Sequence, residues 1–333
     1  MLEGISKKKL KKHIRIHNTL ENVRHKLNDF IGVEFDLQNL SFMNSLPNIN
    51  ETQIIMKHFL KTNLPTLSLR FGLYEYQLCY QYLEKVIGLR KHYTDFIKYH
   101  ISLDAGIMGD NEVSLDKYCE YIISNLNLVD IMSYWRNVPD IKIFNSFYSQ
   151  HISHINVEKI YPYPFWHKNV LPDWQIELKN KKVIIISSFA ETIRNQYKKR
   201  RKIWKNADII LPEMDLICYK SVVTNGGCVD NRFVDWQDAV NYMVDNIIKN
   251  DFDIALISAG GYGMPLAISL RKAGYKALQW GGCYQLWFGI MGGRWINDKN
   301  IKSFMNEYWV FPTESETPPR ANEVNGSSYW RPR

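Results

Sequence analysis

Lys181-Lys-Val-Ile-Ile-Ile-Ser187 sets consecutive β-branched residues between a charged entry and a serine exit, with no polar residue alternating among them. A strand that is apolar on both faces must be covered on both faces, which a parallel sheet flanked by helices achieves. The residues that follow repeat the unit. A helix through Trp204 carries Ile193 and Tyr197 on one side, and 216–223 reads as a strand ended by Asn225-Gly-Gly227. A helix over 238–250 presents Val240, Met243, Val244 and Ile247. Strand 254–258, the turn Ala259-Gly-Gly-Tyr-Gly263, helix 264–273, strand 276–280 and the turn Gly281-Gly282 complete the series. This βαβαβ alternation predicts an α/β fold, a Rossmann-like open parallel sheet with helices on both faces. Such sheets take ligands at the carboxyl ends of their strands.

Upstream, 50–150 reads as mostly helical, broken by two turn-rich islands, Ser68-Leu-Arg-Phe-Gly-Leu-Tyr-Glu75 and Asp104-Ala-Gly-Ile-Met-Gly-Asp-Asn-Glu112. Between them a helix over 75–88 carries Leu78, Tyr82 and Val86. Tyr161-Pro-Tyr-Pro-Phe-Trp166 cannot be helical and reads as a linker. The expected organisation is a basic extension over 1–45, a helical half over 46–170 and a nucleotide-binding half with a tail over 171–333.

The net charge of +8 is concentrated at the amino terminus. Residues 1–30 hold Lys7, Lys8, Lys9, Lys11, Lys12, Arg15, Arg24 and Lys26 against Glu3, Glu21 and Asp29. Leu10, Ile14, Leu20, Val23, Leu27 and Phe30 fall near helical spacing, so a basic amphipathic helix is expected. It either packs on the body through its apolar stripe or lies on an anionic membrane surface. No nucleic-acid-binding module accompanies it, so a nucleic-acid partner is not expected. No apolar run approaches the ~20 residues of a membrane span, and no apolar stretch follows the first lysines as in a signal peptide. Cys79, Cys119, Cys218, Cys228 and Cys283 are scattered, without paired spacing, as small buried thiols would be. The expectation is a soluble, cytoplasmic protein with a peripheral membrane contact open to it.

Chemistry is expected at the strand ends. Gly260, Gly261 and Gly263, around Tyr262 and opening a helix, would let backbone N–H groups approach a phosphate. Ser188 and Glu191 sit in the preceding βα turn, Gly281 and Gly282 in the last one, with Gln285 just beyond. Arg194 and Lys198 would add counter-charge. A nicotinamide site is disfavoured, because Leu266 stands where the third glycine of G-x-G-x-x-G belongs and no acid ends the next strand. Asp251-Phe-Asp253 has the D-x-D form of a metal–diphosphate site but precedes strand 254–258, at the wrong end of the sheet. Glu75 is the better acid. Arg70 and Gly72 precede it at a helix entry, so it can serve as a general base, ligate a divalent metal, or stabilise the helix's first turn. Tyr74, Tyr262, Tyr284, Trp280 and Trp287 could stack on base or sugar rings or pack the core.

Arg70-Phe-Gly-x-x-Glu75, the Ala105-Gly106 turn and the carboxy-terminal βαβαβ together resemble the GT-D type of glycosyltransferase. The later residues are similar to a set found in polysaccharide gene clusters: Phe189-Ala-Glu-Thr-Ile-Arg-Asn-Gln-Tyr197, Leu211-Pro-Glu213, Gly260-Gly-Tyr-Gly-Met-Pro-Leu-Ala267, Gly281-Gly282 with Gln285-Leu286, Arg294-Trp295, Asn306-Glu-Tyr-Trp309, Glu316-Thr-Pro318 and Tyr329-Trp330. The resemblance covers about residue 65 onward. It implies transfer of a sugar from a UDP-, GDP- or dTDP-linked donor to a glycan or lipid-linked acceptor. It also implies an Asp-x-Glu pair near a Mn²⁺ or Mg²⁺ ion. Here the Glu of that pair matches Glu75, while Leu73 stands in place of the Asp. A metal would then need another acid, with Asp104, Asp110, Glu112 or Glu191 as candidates, or catalysis would proceed without one, with basic residues such as Arg70 or Arg194 offsetting the charge of the leaving diphosphate. The rival readings are another nucleotide-dependent Rossmann-type enzyme, such as a methyltransferase, and a non-catalytic membrane-surface scaffold.

Overall fold

In the computed structural model of the chain, the structure describes residues 6–16, 18–19, 42–109, 111–134, 141–162 and 170–332. Seven parallel strands form one sheet: β1 (Leu67–Arg70), β2 (Ile131–Tyr134), β3 (Ser153–Asn156), β4 (Lys182–Ser187), β5 (Asp215–Lys220), β6 (Ile254–Ser258) and β7 (Ala277–Gln279). Their order is β3-β2-β1-β7-β6-β4-β5. The predicted α/β class is therefore correct, and the sheet is larger than the sequence pattern indicated. Strands β1 and β2 lie inside the stretch read as mostly helical, and β3 lies just beyond it. The two halves of the chain join where β1 pairs with β7, Ser68 beside Leu278.

The β-branched run behaves as its composition requires. Ile184 and Ile186 point into one helical layer, Val183 and Ile185 into the other, and all four are fully buried. The first layer holds α2 (Leu73–Val86), α3 (Asp95–Leu103) and α4 (Glu112–Ser124), with two later helices to be placed below. The second layer receives α1 (Ile49–Lys61), which opens with an Asn48–Glu51 capping box, and α5 (Ala190–Tyr197). From β5 the chain returns through α6 (Trp236–Ile247), on the first layer, to β6, and from there through α7 (Gly263–Lys272), also on the first layer, to β7. So β5 and β6 flank β4 on opposite sides, and the helices leaving β4 and β6 lie on opposite faces. That reversal opens a crevice at the strands' carboxyl ends. Asp251 and Asp253 sit at the other edge, where Asp251 pairs with Lys182 and Asp253 accepts the Lys182 backbone N–H at 2.8 Å.

Residues 7–16 are helical, and Leu10 and Ile14 are buried in the first layer's core with Met43 and Leu46. Asn18 donates to Glu84 at 2.9 Å and accepts from the Tyr80 hydroxyl, which ties the segment to α2. This is the packed alternative. Lys7, Lys8, Lys9, Lys12 and Arg15 remain exposed on its outer side. Leu20, Val23, Leu27 and Phe30 lie outside the described residues. Among the described residues no helix is long and apolar enough to cross a membrane. Ile14→Ala should lower unfolding free energy by about 2–4 kcal/mol, the cost of an aliphatic-to-alanine change in a filled core. A urea-denaturation midpoint equal to that of the parent would show that the segment does not dock.

Candidate active site

A cavity of about 460 Å³ lies over the carboxyl ends of β1, β4, β6 and β7. Arg70, Gly72, Glu75, Asp104, Ser188, Gly260, Gly281 and Gly282, all singled out from the sequence, line it. So the turns do converge, across the whole width from β1 to β4. Their chemistry differs from the expectation in several places.

Arg70 ends β1, and its backbone N–H donates to Gln279 Oε1 at 3.0 Å, so a side chain at the end of β7 fixes where the Arg70 side chain starts. Gly281 has φ +62°, and a Cβ there would lie 2.4 Å from Arg70 Nη2. Gly282 does the same for Tyr329, whose Cε1 would be 2.5 Å from an added Cβ. At both glycines the missing Cβ makes room for a neighbouring side chain. Phe71 is buried and stacks on Phe144 at 5.1 Å, which anchors the turn into α2. Gly72 is the N-cap of α2, and its missing Cβ makes room for the Glu75 carboxyl, which folds back over the helix's first turn.

Burial pushes the Glu75 carboxyl above its ordinary value. Its own backbone N–H and the nearby Arg70 charge pull the other way, and Asp104 adds to the rise. Asp104 is engaged twice, by His100 Nδ1 at 2.5 Å and by the Asn325 N–H at 2.7 Å. Tyr74 stacks on that His100 ring at 4.5 Å and reaches the cavity wall. Tyr262, Tyr284, Trp280 and Trp287 are fully buried core residues, so of the aromatic set only Tyr74 faces the cavity.

The Gly260–Gly263 turn is not an open phosphate cradle. The Gly261 N–H donates to Ala105 O at 2.7 Å, and the Tyr118 hydroxyl donates to Gly261 O. The Tyr262 N–H is given to Ala259 O and the Gly263 N–H to Gly260 O. Gly260 and Gly261 are needed because the 105–107 loop packs against them, with Ala105 O and Ile107 where a Cβ would go. A Gly261 side chain would therefore disturb this packing before it disturbed any ligand.

The amino end of α5 is likewise filled. One carboxylate oxygen of Glu316 accepts the N–H groups of Glu191 (2.8 Å) and Thr192 (3.3 Å). Its other oxygen takes the hydroxyls of Thr192 and Thr313. Glu191 is itself exposed and outside the cavity, and Arg194 donates to Cys218 O on β5. Gln285 donates to Met291 O and Tyr329 O, which makes it a fastener of the tail. Glu112 pairs with Lys85 at 2.6 Å on the first layer, and Asp110 lies outside the described residues.

Arg294, Glu158, Asn325, Tyr329 and Trp330 are among the wall residues that were not assigned to the site from sequence. Four of these five belong to the last 40 residues, whose path over the strand ends depends on tertiary contacts such as Gly293 N–H to Trp330 O at 2.9 Å. Trp295 and Tyr329 flank the Arg294 guanidinium, at 5.9 and 5.3 Å from their ring centres.

Three acids, Glu75, Asp104 and Glu158, line the cavity, and two of them are already engaged. Leu73 stands where a first carboxylate would be needed, Asp104 is held by two partners, and Arg70 puts a fixed positive charge beside Glu75. Among the described residues no group of three His, Cys, Asp or Glu side chains could hold a metal. Comparisons with protein-family models, with curated proteins and with solved structures find no match to this chain.

Proposed function

We propose that the chain is a nucleotide-sugar glycosyltransferase. The observation that carries this reading is the cavity itself. It lies at the topological reversal of a Rossmann-like sheet, with a half-buried carboxyl and guanidinium groups in one wall. A volume of about 460 Å³ falls in the range of small-ligand sites. The acceptor hydroxyl loses its proton to Glu75 as its oxygen bonds to the sugar's anomeric carbon. The bond from that carbon to the donor phosphate breaks, and the nucleoside diphosphate leaves with the electron pair. A carboxyl held above its usual range is a stronger base once ionised, which suits this proton transfer. The acceptor is a glycan or lipid-linked hydroxyl, and the exposed lysine face of the 7–16 helix would favour an anionic surface carrying the latter.

Thermal unfolding with UDP, GDP, dTDP and S-adenosylmethionine tests the reading. One nucleoside diphosphate should stabilise the chain by about 2.7 kcal/mol at one hundred times its Kd. Stabilisation by S-adenosylmethionine alone would instead favour methyl transfer and overturn the proposal.

A further inference from the structure

We propose that Arg70 and Arg294 together carry the charge of the departing diphosphate in place of a divalent cation, so that donor binding at this cleft is metal-independent. The inference rests on the donor reading above and specifies how the leaving group is held. Both arginines line the same cavity, one rooted in β1 and the other in the loop beneath the chain's tail. Their fields overlap: the buried Tyr161 phenol, raised chiefly by burial, is pulled back by both Arg70 and Arg294.

Each guanidinium is positioned before any ligand arrives. Gly281 provides the bed on which Arg70 lies, and the rings of Trp295 and Tyr329 hold Arg294 by cation–π contact. Planar guanidinium groups bind phosphate oxygens through paired N–H donors and keep their charge at any working pH. A preformed pair of this kind stabilises charge as it develops on the leaving oxygen without reorganising. Of the acids in the wall, Glu75 feels the Arg70 charge, and Asp104 is committed to His100 and the tail. Leu73, half exposed at the cavity, offers no ligand atom to a metal.

Calorimetric titration of the full chain with UDP, GDP and dTDP, in EDTA and again in Mn²⁺, tests this. The nucleotide that binds should do so with affinities equal within about twofold in the two buffers. Arg294→Met keeps much of the stem that packs on Tyr329 and removes the charge. It should weaken the diphosphate at least ~10-fold while leaving the parent nucleoside's affinity unchanged, since the loss is of charge-assisted hydrogen bonds. Arg294→Lys should fall between, because an ammonium keeps charge and loses the fork. An unchanged melting temperature in both variants identifies the loss as local. Binding that appears only with Mn²⁺ would overturn the inference and leave the donor reading standing. An Arg294→Met affinity equal to that of the parent would also overturn it. Failure of every nucleotide in both buffers would overturn the donor reading and the inference with it.

Discussion

Glu75→Gln should lower sugar transfer by about 10²–10⁴-fold, or roughly 3–5 kcal/mol of barrier, the usual loss when a positioned general base is removed. The amide fills nearly the same space over Gly72 and can still accept the residue's own N–H, so the helix entry keeps its form. Stability should respond in the opposite sense to activity. Because burial raises the carboxyl's folded-state value, its contribution is fully present below the ordinary carboxylate range and is lost as pH rises through the raised value. At neutral pH the amide variant is thus expected to melt no lower than the parent. The parent's rate should gain its acid limb above the range of an ordinary glutamate, as Glu75 ionises. A variant that transfers at the parent rate but melts early would make Glu75 a helix-capping acid and nothing more.

Glu316→Ala should destabilise the chain strongly. The carboxylate satisfies two backbone N–H groups at the start of α5 and two threonine hydroxyls, and Trp330 donates its indole N–H to the same residue's carbonyl at 2.9 Å. Stranding several of these donors costs ~1–3 kcal/mol apiece, so a total of roughly 3–5 kcal/mol is expected. Glu316→Gln, which retains one acceptor oxygen, should lose less. Tyr329 and Trp330 form part of the cavity wall, so nucleotide affinity should fall along with the unfolding midpoint. An alanine variant with the parent's midpoint and affinity would show that the tail is held by other contacts.

In the second half of the sheet β4 and β6 were readable as unbroken apolar runs, and β5 and the three-residue β7 because the strand–turn–helix alternation bounds them. Strand 254–258 is found where the spacing put it, and β4, β5 and β7 deviate only at their ends. Strands β1, β2 and β3 are four residues each, too short to set up a period, and they carry polar residues inside. Ser68 is fully buried because it accepts the Trp280 indole N–H at 2.9 Å, a reason invisible in Leu-Ser-Leu-Arg. In the site, Gly281 and Gly282 were legible as a turn at a strand end and Arg70 and Glu75 as charges at a helix entry, and they share one cavity. What each glycine admits was not legible, since that depends on which distant segment packs there. The glycines at 260 and 261 meet the 105–107 loop, and those at 281 and 282 meet Arg70 and Tyr329. The helix amino terminus after β4 was read as part of a donor site, but its N–H groups are taken by the chain's own Glu316.

On the proposed reading, this cleft consumes a nucleotide-linked sugar with Glu75 as its base. Release of nucleoside diphosphate from UDP-, GDP- and dTDP-sugars by the full chain, followed in EDTA over a range of pH, measures it most directly. The account predicts turnover of one donor class, rising with pH through an ionisation above the ordinary carboxylate range and lost in Glu75→Gln. Absence of release from every donor, or release that is unchanged in Glu75→Gln, would contradict it.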